Sequence, residues 1–310
     1  MRLSNNYSIQ EFKGQKQEQE LQTKPKKVNG FIPKCGAAIA SALPIVLAEQ
    51  YGSSIIIPSL KKYSNLPDDV VEKVHTAAKE AIKTEGLDKY GVSIKLLPKL
   101  KKKPSMDAIL KNPILQVNAG LNSMFLGQDL NTIDELGHNI SYKKNTIFLP
   151  KKKSCLTVFH EMGHAANFNK SKLTKALLFS NVFGQRLAFL PLLFGVFTRK
   201  SKPDENGNLT TGQKIKNFVR DNAGKLTFAC FVPTLLEEGL ASIRAHNYAK
   251  KGLSPEILKK VSKTNIFAYS TYVVMALATA FAAKLGVSVK DEMIANKEAK
   301  AAEKMNAEKA

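Results

Sequence analysis

The stretch LTVFHEMGHAANF, residues 156–168, carries two histidines four positions apart, His160 and His164, with Glu161 directly after the first. The chain has only 5 histidines in 310 residues, so a chance match to this pattern is expected on the order of once in a hundred such chains. On an α-helix, positions i and i+4 lie on one face with their Cβ atoms about 6 Å apart. Two imidazoles placed in this way can bind one tetrahedral Zn²⁺. The stretch therefore predicts a helix on which His160 and His164 are metal ligands.

Glu161 and Gly163 also fit the interpretation of this stretch as a metal-binding helix. Glu161 lies beside the two histidines but is directed slightly away from their shared face, so we expect its carboxylate to take a proton from water rather than to bind the metal. Glycine inside a helix lowers its stability and usually implies that another backbone approaches closely. Gly163 therefore predicts a second helix packed tightly against the first.

The third metal ligand should lie downstream of His164. The metzincin extension HExxHxxGxxH is absent, because the sequence after His164 is AANFNKSK. The segment TLLEEGLASIRAH, residues 234–246, offers two adjacent carboxylates instead, those of Glu237 and Glu238. We expect Glu238 to be the ligand, and Glu237 either to orient a histidine or to be a solvated neighbour.

The choice of Glu238 rests on the small residues that share its helical face. Ala241 and Ala245 lie three and seven positions after it, so this helix could pack closely against Gly163 and Ala166. Two further residues of the same segment, Arg244 and His246, are candidates for stabilising the oxyanion of a tetrahedral intermediate, which needs a cationic or hydrogen-bonding group.

The charge of the chain is strongly basic, with 47 Lys and Arg against 26 Asp and Glu and a formal net charge of +21. Such an excess attracts nucleic acid or an acidic lipid surface. The lysine runs at 101–103 and 151–153 are not interleaved with arginine and aromatic residues, as a base-stacking surface would require. We therefore expect no nucleic-acid partner. An anionic membrane surface and ordinary solvated faces remain as interpretations of the charge.

The location expected from the sequence is a reducing compartment. The three cysteines, at positions 35, 155 and 230, are widely spaced and form no CxxC pair, so a disulfide framework is not expected. The first 27 residues are polar and lack the apolar core of a signal peptide. Both features favour a chain whose N-terminus lies in the cytoplasm.

The chain divides by composition into a tail, an apolar region, a large domain and a charged end. We predict α+β architecture, mainly helical, with an amphipathic helix, a small mixed sheet and apolar helices that either enter a membrane or are buried. The uncharged run 266–283 would extend about 27 Å as a helix, close to the hydrocarbon thickness, whereas 226–236 is too short to span. The predicted ranges are: tail 1–30; apolar anchor or buried helix 31–64; large domain 65–290; charged tail 291–310; amphipathic helix 66–84; strands 91–98, 121–127 and 145–150; apolar helices 176–198, 226–236 and 266–283.

HEMGH followed by a helix with Glu238-x-x-Ala241 resembles the gluzincin metallopeptidases. The apolar segments around these motifs are similar to those of the membrane-associated zinc peptidases, which include the CaaX prenyl endoprotease and the HtpX-like proteases. The strand at 145–150 resembles the edge strand on which zincins bind peptide. The chain departs from the membrane family at Ser242, where that family carries an acidic residue.

This resemblance implies that residues 65–290 form a zincin-like metallopeptidase domain. It implies a zinc-dependent metalloendopeptidase that hydrolyses a peptide or protein substrate. It also implies membrane association with the catalytic domain in the cytoplasm; the alternative is a soluble cytoplasmic protein. A rival of another class is a non-catalytic zincin-like protein whose metal stabilises a binding surface. Such a protein would have no need for a carboxylate at Glu161.

Overall fold

A computed structural model describes residues 30–64, 66–97, 139–141, 145–150 and 156–308. The predicted tail at 1–29 and the predicted strand at 121–127 lie outside the described residues.

The described chain is mainly helical with one small sheet, which confirms the mainly helical α+β class. A π-helical turn, Gly52–Ile56, joins the first two helices, and a short 3₁₀ turn, Asp88–Tyr90, precedes the sheet. The elements are α1 (Phe31–Tyr51), α2 (Ile57–Ser64), α3 (Asp68–Thr84), β1 (Ser93–Leu97), β2 (Asn139–Ser141), β3 (Thr146–Pro150), α4 (Val158–Lys170), α5 (Lys172–Leu187), α6 (Phe189–Phe197), α7 (Thr211–Asp221), α8 (Ala223–Lys250) and α9 (Pro255–Ala307).

The amphipathic helix predicted over 66–84 is α3. Pro67 precedes it, and Asp68 and Asp69 occupy its first turn, where negative charge complements the helix dipole. Its apolar face is buried in a cluster that we call the sheet-side core. From α3 the cluster contains Val74 and Ala78, among others. It also contains side chains of the sheet, of α4 and of the end of α8, among them Ile147, Leu149, Phe159, Met162, Ala245, Tyr248 and Ala249.

The sheet is mixed, as predicted, and its strand order is β1–β3–β2. β3 pairs in parallel with β1 and antiparallel with β2. The segment 145–150 therefore forms the middle strand. The expectation that it is a substrate-binding edge strand is wrong, because β2 already pairs with Thr146, Ile147 and Phe148.

Helices α8 and α9 run antiparallel along most of their length. At one end, His246 Nδ1 lies 2.9 Å from Ser262 Oγ. At the other end, a Cβ atom built at Gly224 would lie 2.7 Å from the carbonyl oxygen of Ala280. Around this pair lie two smaller apolar clusters, which we call the bundle core: Ala37, Leu192, Val196, Ala223, Ala282, Ala283 and Val287, and Ala188, Phe231 and Ala276.

Among the described residues, four helical segments are long and apolar enough to cross a membrane: Phe31–Ile56, Lys172–Phe197, Ala223–Lys250 and Pro255–Ala307. The apolar stretch 226–236 is thus not a separate short helix, because it continues without a break into the ligand-bearing part of the 28-residue helix α8. The stretch 176–198 divides into α5 and α6 at Ala188. The charged end from 291 extends α9 as helix to Ala307.

Large apolar side chains on these segments are exposed along the outside of the helices. They include residues that are more than half exposed: Ile39, Leu43, Val46, Leu47, Phe179, Phe183, Leu190, Phe197, Leu236, Ile243, Ile266, Leu277 and Phe281. Soluble monomers rarely expose so extensive an apolar surface, whereas a membrane protein presents one to lipid. The arrangement is compatible with membrane association.

We expect the protein to stay in the membrane fraction when cell membranes are washed with alkaline carbonate, because the exposed apolar side chains would lose their lipid contacts on release. The measurement is the distribution of the protein between pellet and supernatant, with a peripheral membrane protein as control. Complete release into the supernatant would contradict membrane insertion of these helices.

Candidate metal centre

Helix α4 lies in the sheet-side core and is held against α8 by a close backbone contact. A Cβ atom built at Gly163 would lie 2.3 Å from the carbonyl oxygen of Ala241. This distance is impossible for a real side chain, so only glycine allows the two helices to approach this closely. The packing predicted from Gly163 and Ala241 is confirmed.

This contact brings two histidines of α4 and one carboxylate of α8 together. His160 Nε2 lies 3.0 Å from His164 Nε2 and 3.1 Å from Glu238 Oε2, and His164 Nε2 lies 3.7 Å from the same oxygen. All three residues are buried. Among the residues that the structure describes, they are the group whose ligand atoms converge closely enough to hold a metal ion.

The donor set fits a zinc ion. Zinc binds imidazole nitrogen at about 2.0–2.1 Å, which places the ligand atoms of a tetrahedral site about 3.3 Å apart. The three separations found between the nitrogen and oxygen atoms lie on either side of that value. Lone pairs at these distances repel one another unless a proton or a metal cation lies between them.

Glu237 holds His164 in the orientation that metal binding requires. Its Oε1 lies 2.8 Å from His164 Nδ1, and Asn167 donates a hydrogen bond to the same oxygen at 2.9 Å. A carboxylate at Nδ1 fixes the tautomer with its proton there, which leaves the Nε2 lone pair for a metal. Glu237 is only 1% exposed, so of the two expectations for this residue the structure favours the orienting one.

The site favours positive charge. Burial by itself lowers the pKa of His164, but the carboxylates of Glu237 and Glu238 outweigh burial and raise that pKa to about 10. Without a metal ion, a proton is therefore retained on this imidazole at neutral pH. A metal cation would supply the same positive charge at the same place.

The remaining predicted site residues lie around this cluster in different ways. Glu161 is half-buried on α4 and close enough to act electrostatically on His164. Arg244 Nη1 is buried and makes no hydrogen bond within the described part of the chain. His246 hydrogen-bonds with Ser262 and is not part of the converging group. At the position where the membrane family carries an acidic residue, Ser242 Oγ lies 3.4 Å from His160 Nδ1.

One residue near the site was not predicted from the sequence. Tyr272, on α9, lies close enough to Glu238 and Glu161 to interact with their charges. It lies inside the uncharged run 266–283, which was interpreted only as a candidate membrane helix. The hydroxyl of a tyrosine in such a run is the signal that could have identified it, because a buried tyrosine hydroxyl usually has a partner.

Comparisons of the chain with models of protein families, with curated proteins and with solved structures find no match. The function is therefore inferred from the chemistry of the site.

We expect the purified protein to hold about one zinc ion per chain. The variants Glu238→Gln and Glu237→Gln should differ in how much zinc they retain. Glu238→Gln removes the anionic ligand, so zinc should be lost on dialysis, as in His160→Ala and His164→Ala. Glu237→Gln changes only the partner of a ligand, so zinc should remain but bind about 10–100-fold more weakly.

The measurements are elemental analysis and competition with a chelator. The control is Glu256→Gln, a change in a largely exposed side chain. Stoichiometric zinc in the double variant His160→Ala and His164→Ala would place the metal elsewhere.

Proposed function

We propose that the chain is a zinc-dependent metallopeptidase that acts at a membrane. The observation that carries the proposal is the buried convergence of His160, His164 and Glu238, with Glu161 next to the first histidine. This is the donor set of a catalytic zinc site, which has three protein ligands and one open position. The proposal includes a zincin-like arrangement of the site, which the motifs support.

The chemistry follows from the positions of the protein groups. A zinc ion held by the three ligands would supply a Lewis acid that activates water and polarises a carbonyl group. Glu161 accepts the proton of the attacking water and passes it to the leaving amine. Tyr272 has its hydroxyl at Glu238, where it can donate a hydrogen bond to the oxyanion that develops on the substrate carbonyl.

The position of Tyr272 along α9 supports a substrate associated with the membrane. Lys263 and Lys284 flank the uncharged part of this helix. Tyr272 lies about 14 Å from the first and about 18 Å from the second along the axis. Because the hydrocarbon core is about 30 Å thick, we place the site within the apolar layer and propose as substrate a peptide segment that lies in or enters the membrane.

We also propose that the end of the molecule with the sheet lies in the cytoplasm. The widely spaced cysteines of the sequence, without a CxxC pair, fit a reducing compartment. The competing function is that of a non-catalytic protein whose metal stabilises a binding surface. A carboxylate at Glu161 favours the enzyme, since such a protein would have no need for a general base.

The test of the enzyme is Glu161→Gln. Glutamine keeps the shape of the side chain but cannot accept the proton of water, and loss of a general base typically lowers the rate about 10²–10⁴-fold. Zinc content should not change, because the ligands are untouched. The measurement is zinc content together with turnover of a membrane-peptide library by the reconstituted protein.

Equal turnover by the Glu161→Gln variant and the unaltered protein would refute the role of Glu161. No turnover by the unaltered, zinc-loaded protein would favour the non-catalytic alternative.

For Tyr272→Phe we expect kcat to fall about 10²–10³-fold, the usual cost of losing one oxyanion donor, while zinc stays bound. The matched control is Tyr269→Phe, which removes a hydroxyl one turn earlier on α9, where the ring lies 3.7–3.9 Å from the position that a Cβ atom at Gly239 would take. Loss of zinc in Tyr272→Phe would instead assign the phenol to holding Glu238 in place.

A further inference from the structure

Helix α7 has its polarity reversed relative to a helix packed on a soluble protein. Asn217 and Arg220 are buried against the rest of the chain, whereas Ile215 and Phe218 are 60% and 62% exposed. The polar side chains therefore face the protein and the large apolar side chains face outward.

The orientation of α7 is fixed by hydrogen bonds. Asn217 Oδ1 accepts a hydrogen bond from the Ser201 backbone N–H at 2.8 Å, and its Nδ2 donates to the Ser201 carbonyl at 3.0 Å. Arg220 donates to the carbonyl of Thr198 and forms an ion pair with Asp291. Turning the helix to bury Ile215 and Phe218 would break these hydrogen bonds and separate the Arg220 guanidinium from Asp291.

The start of α7 is also well defined. The Thr210 hydroxyl accepts a hydrogen bond from the Gln213 backbone N–H, and the Gln213 side chain accepts one from the Thr210 backbone N–H at 2.8 Å. This capping box satisfies two backbone donors that would otherwise be free. The exposed apolar face is thus part of a formed helix rather than of an irregular loop.

The location of α7 matches one boundary of the apolar bundle. The helix follows α6, whose carbonyl groups at Gly195, Val196 and Thr198 accept hydrogen bonds from the buried Lys290 of α9. Lys290 lies about 9 Å beyond Lys284 along α9. Lys284 is the first charged residue after the uncharged run. The headgroup layer adds about 5–8 Å on each side of the hydrocarbon core, so α7 lies at the outer edge of that layer and outside the hydrocarbon.

We propose that α7 is an interfacial helix that binds the anionic headgroup layer of the membrane that holds the bundle. Ile215 and Phe218 are directed into the headgroup layer, continuing the lipid-facing surface of α6 at Leu190 and Phe197, which are 58% and 56% exposed. The exposed Lys214 lies next to Ile215 on the same helix and meets lipid phosphate. The proposal rests on membrane association and not on the peptidase activity.

The experiment uses the absence of tryptophan from the chain. The full-length Phe218→Trp variant is reconstituted in phosphatidylcholine vesicles with and without phosphatidylserine, and its fluorescence is quenched with lipids brominated near the headgroup or deep in the acyl chain. Two variants are controls: Phe281→Trp, on the lipid-facing surface of α9, and Tyr90→Trp, on an exposed turn beside the sheet.

We expect the tryptophan at position 218 to emit at shorter wavelength than that at position 90 and to lose most fluorescence to bromine near the headgroup. Position 281 lies about 14 Å deeper along α9 than Lys290, so it should lose more fluorescence to deep bromine than position 218 does, whereas position 90 should respond to neither. Quenching at position 218 should be stronger with phosphatidylserine, and 1 M salt should remove that difference, since the Debye length is then about 3 Å.

Three outcomes would overturn the proposal. If position 218 behaves like position 90 while position 281 is quenched, α7 faces water. If emission at position 218 is shifted to short wavelength but bromine does not quench it, and the shift weakens as the protein is diluted into more lipid, a second copy of the chain covers the face. Equal quenching in both vesicle types would exclude anionic headgroups as its ligand.

Discussion

The close approach of α4 and α8 at Gly163 and Ala241 is the constraint on which the site depends. A methyl group at position 163 would meet the Ala241 carbonyl oxygen at 2.3 Å, so any larger residue would force the helices apart. Glu238 lies about one turn before Ala241 and therefore faces the histidine-bearing side of α4. Ligand atoms that must converge within a few ångströms tolerate little change in this spacing, because zinc bonds are only about 2 Å long.

The electrostatics of the cluster explain why the carboxylates of Glu237 and Glu238 can be buried. An ionised carboxylate in an apolar interior is costly unless it is paired. Glu237 is paired with His164 and Asn167, and Glu238 with both histidines and Tyr272. With Glu161 nearby, three carboxylates lie around two imidazoles. A divalent cation would balance their negative charge, which supports the proposal of a metal site.

The helical spacing of residues in the sequence predicted those features that depend on contacts between neighbouring residues of one helix. The histidine helix, α3 and the assignment of Glu238 through the small face at Ala241 all follow from helical spacing. The place of β3 in the middle of the sheet could not be predicted, because it depends on pairing with β2, a segment of only 3 residues. Tyr272 was missed for a similar reason: its partner Glu238 is reached only through the antiparallel packing of α8 and α9.

The sheet-side core and the bundle core both contain residues of α8, and the site lies where the two cores meet. The C-terminal part of α8 contributes Ala245 and Tyr248 to the sheet-side core, whereas its N-terminal part contributes Ala223 and Phe231 to the bundle core. Glu238 lies between these parts, where a helix from the sheet side supplies the histidines and a helix of the bundle supplies a phenol. A hydrolytic centre needs water as well as substrate. In the proposed function, a site at this junction would take water from the sheet side and an apolar peptide segment from the bundle side.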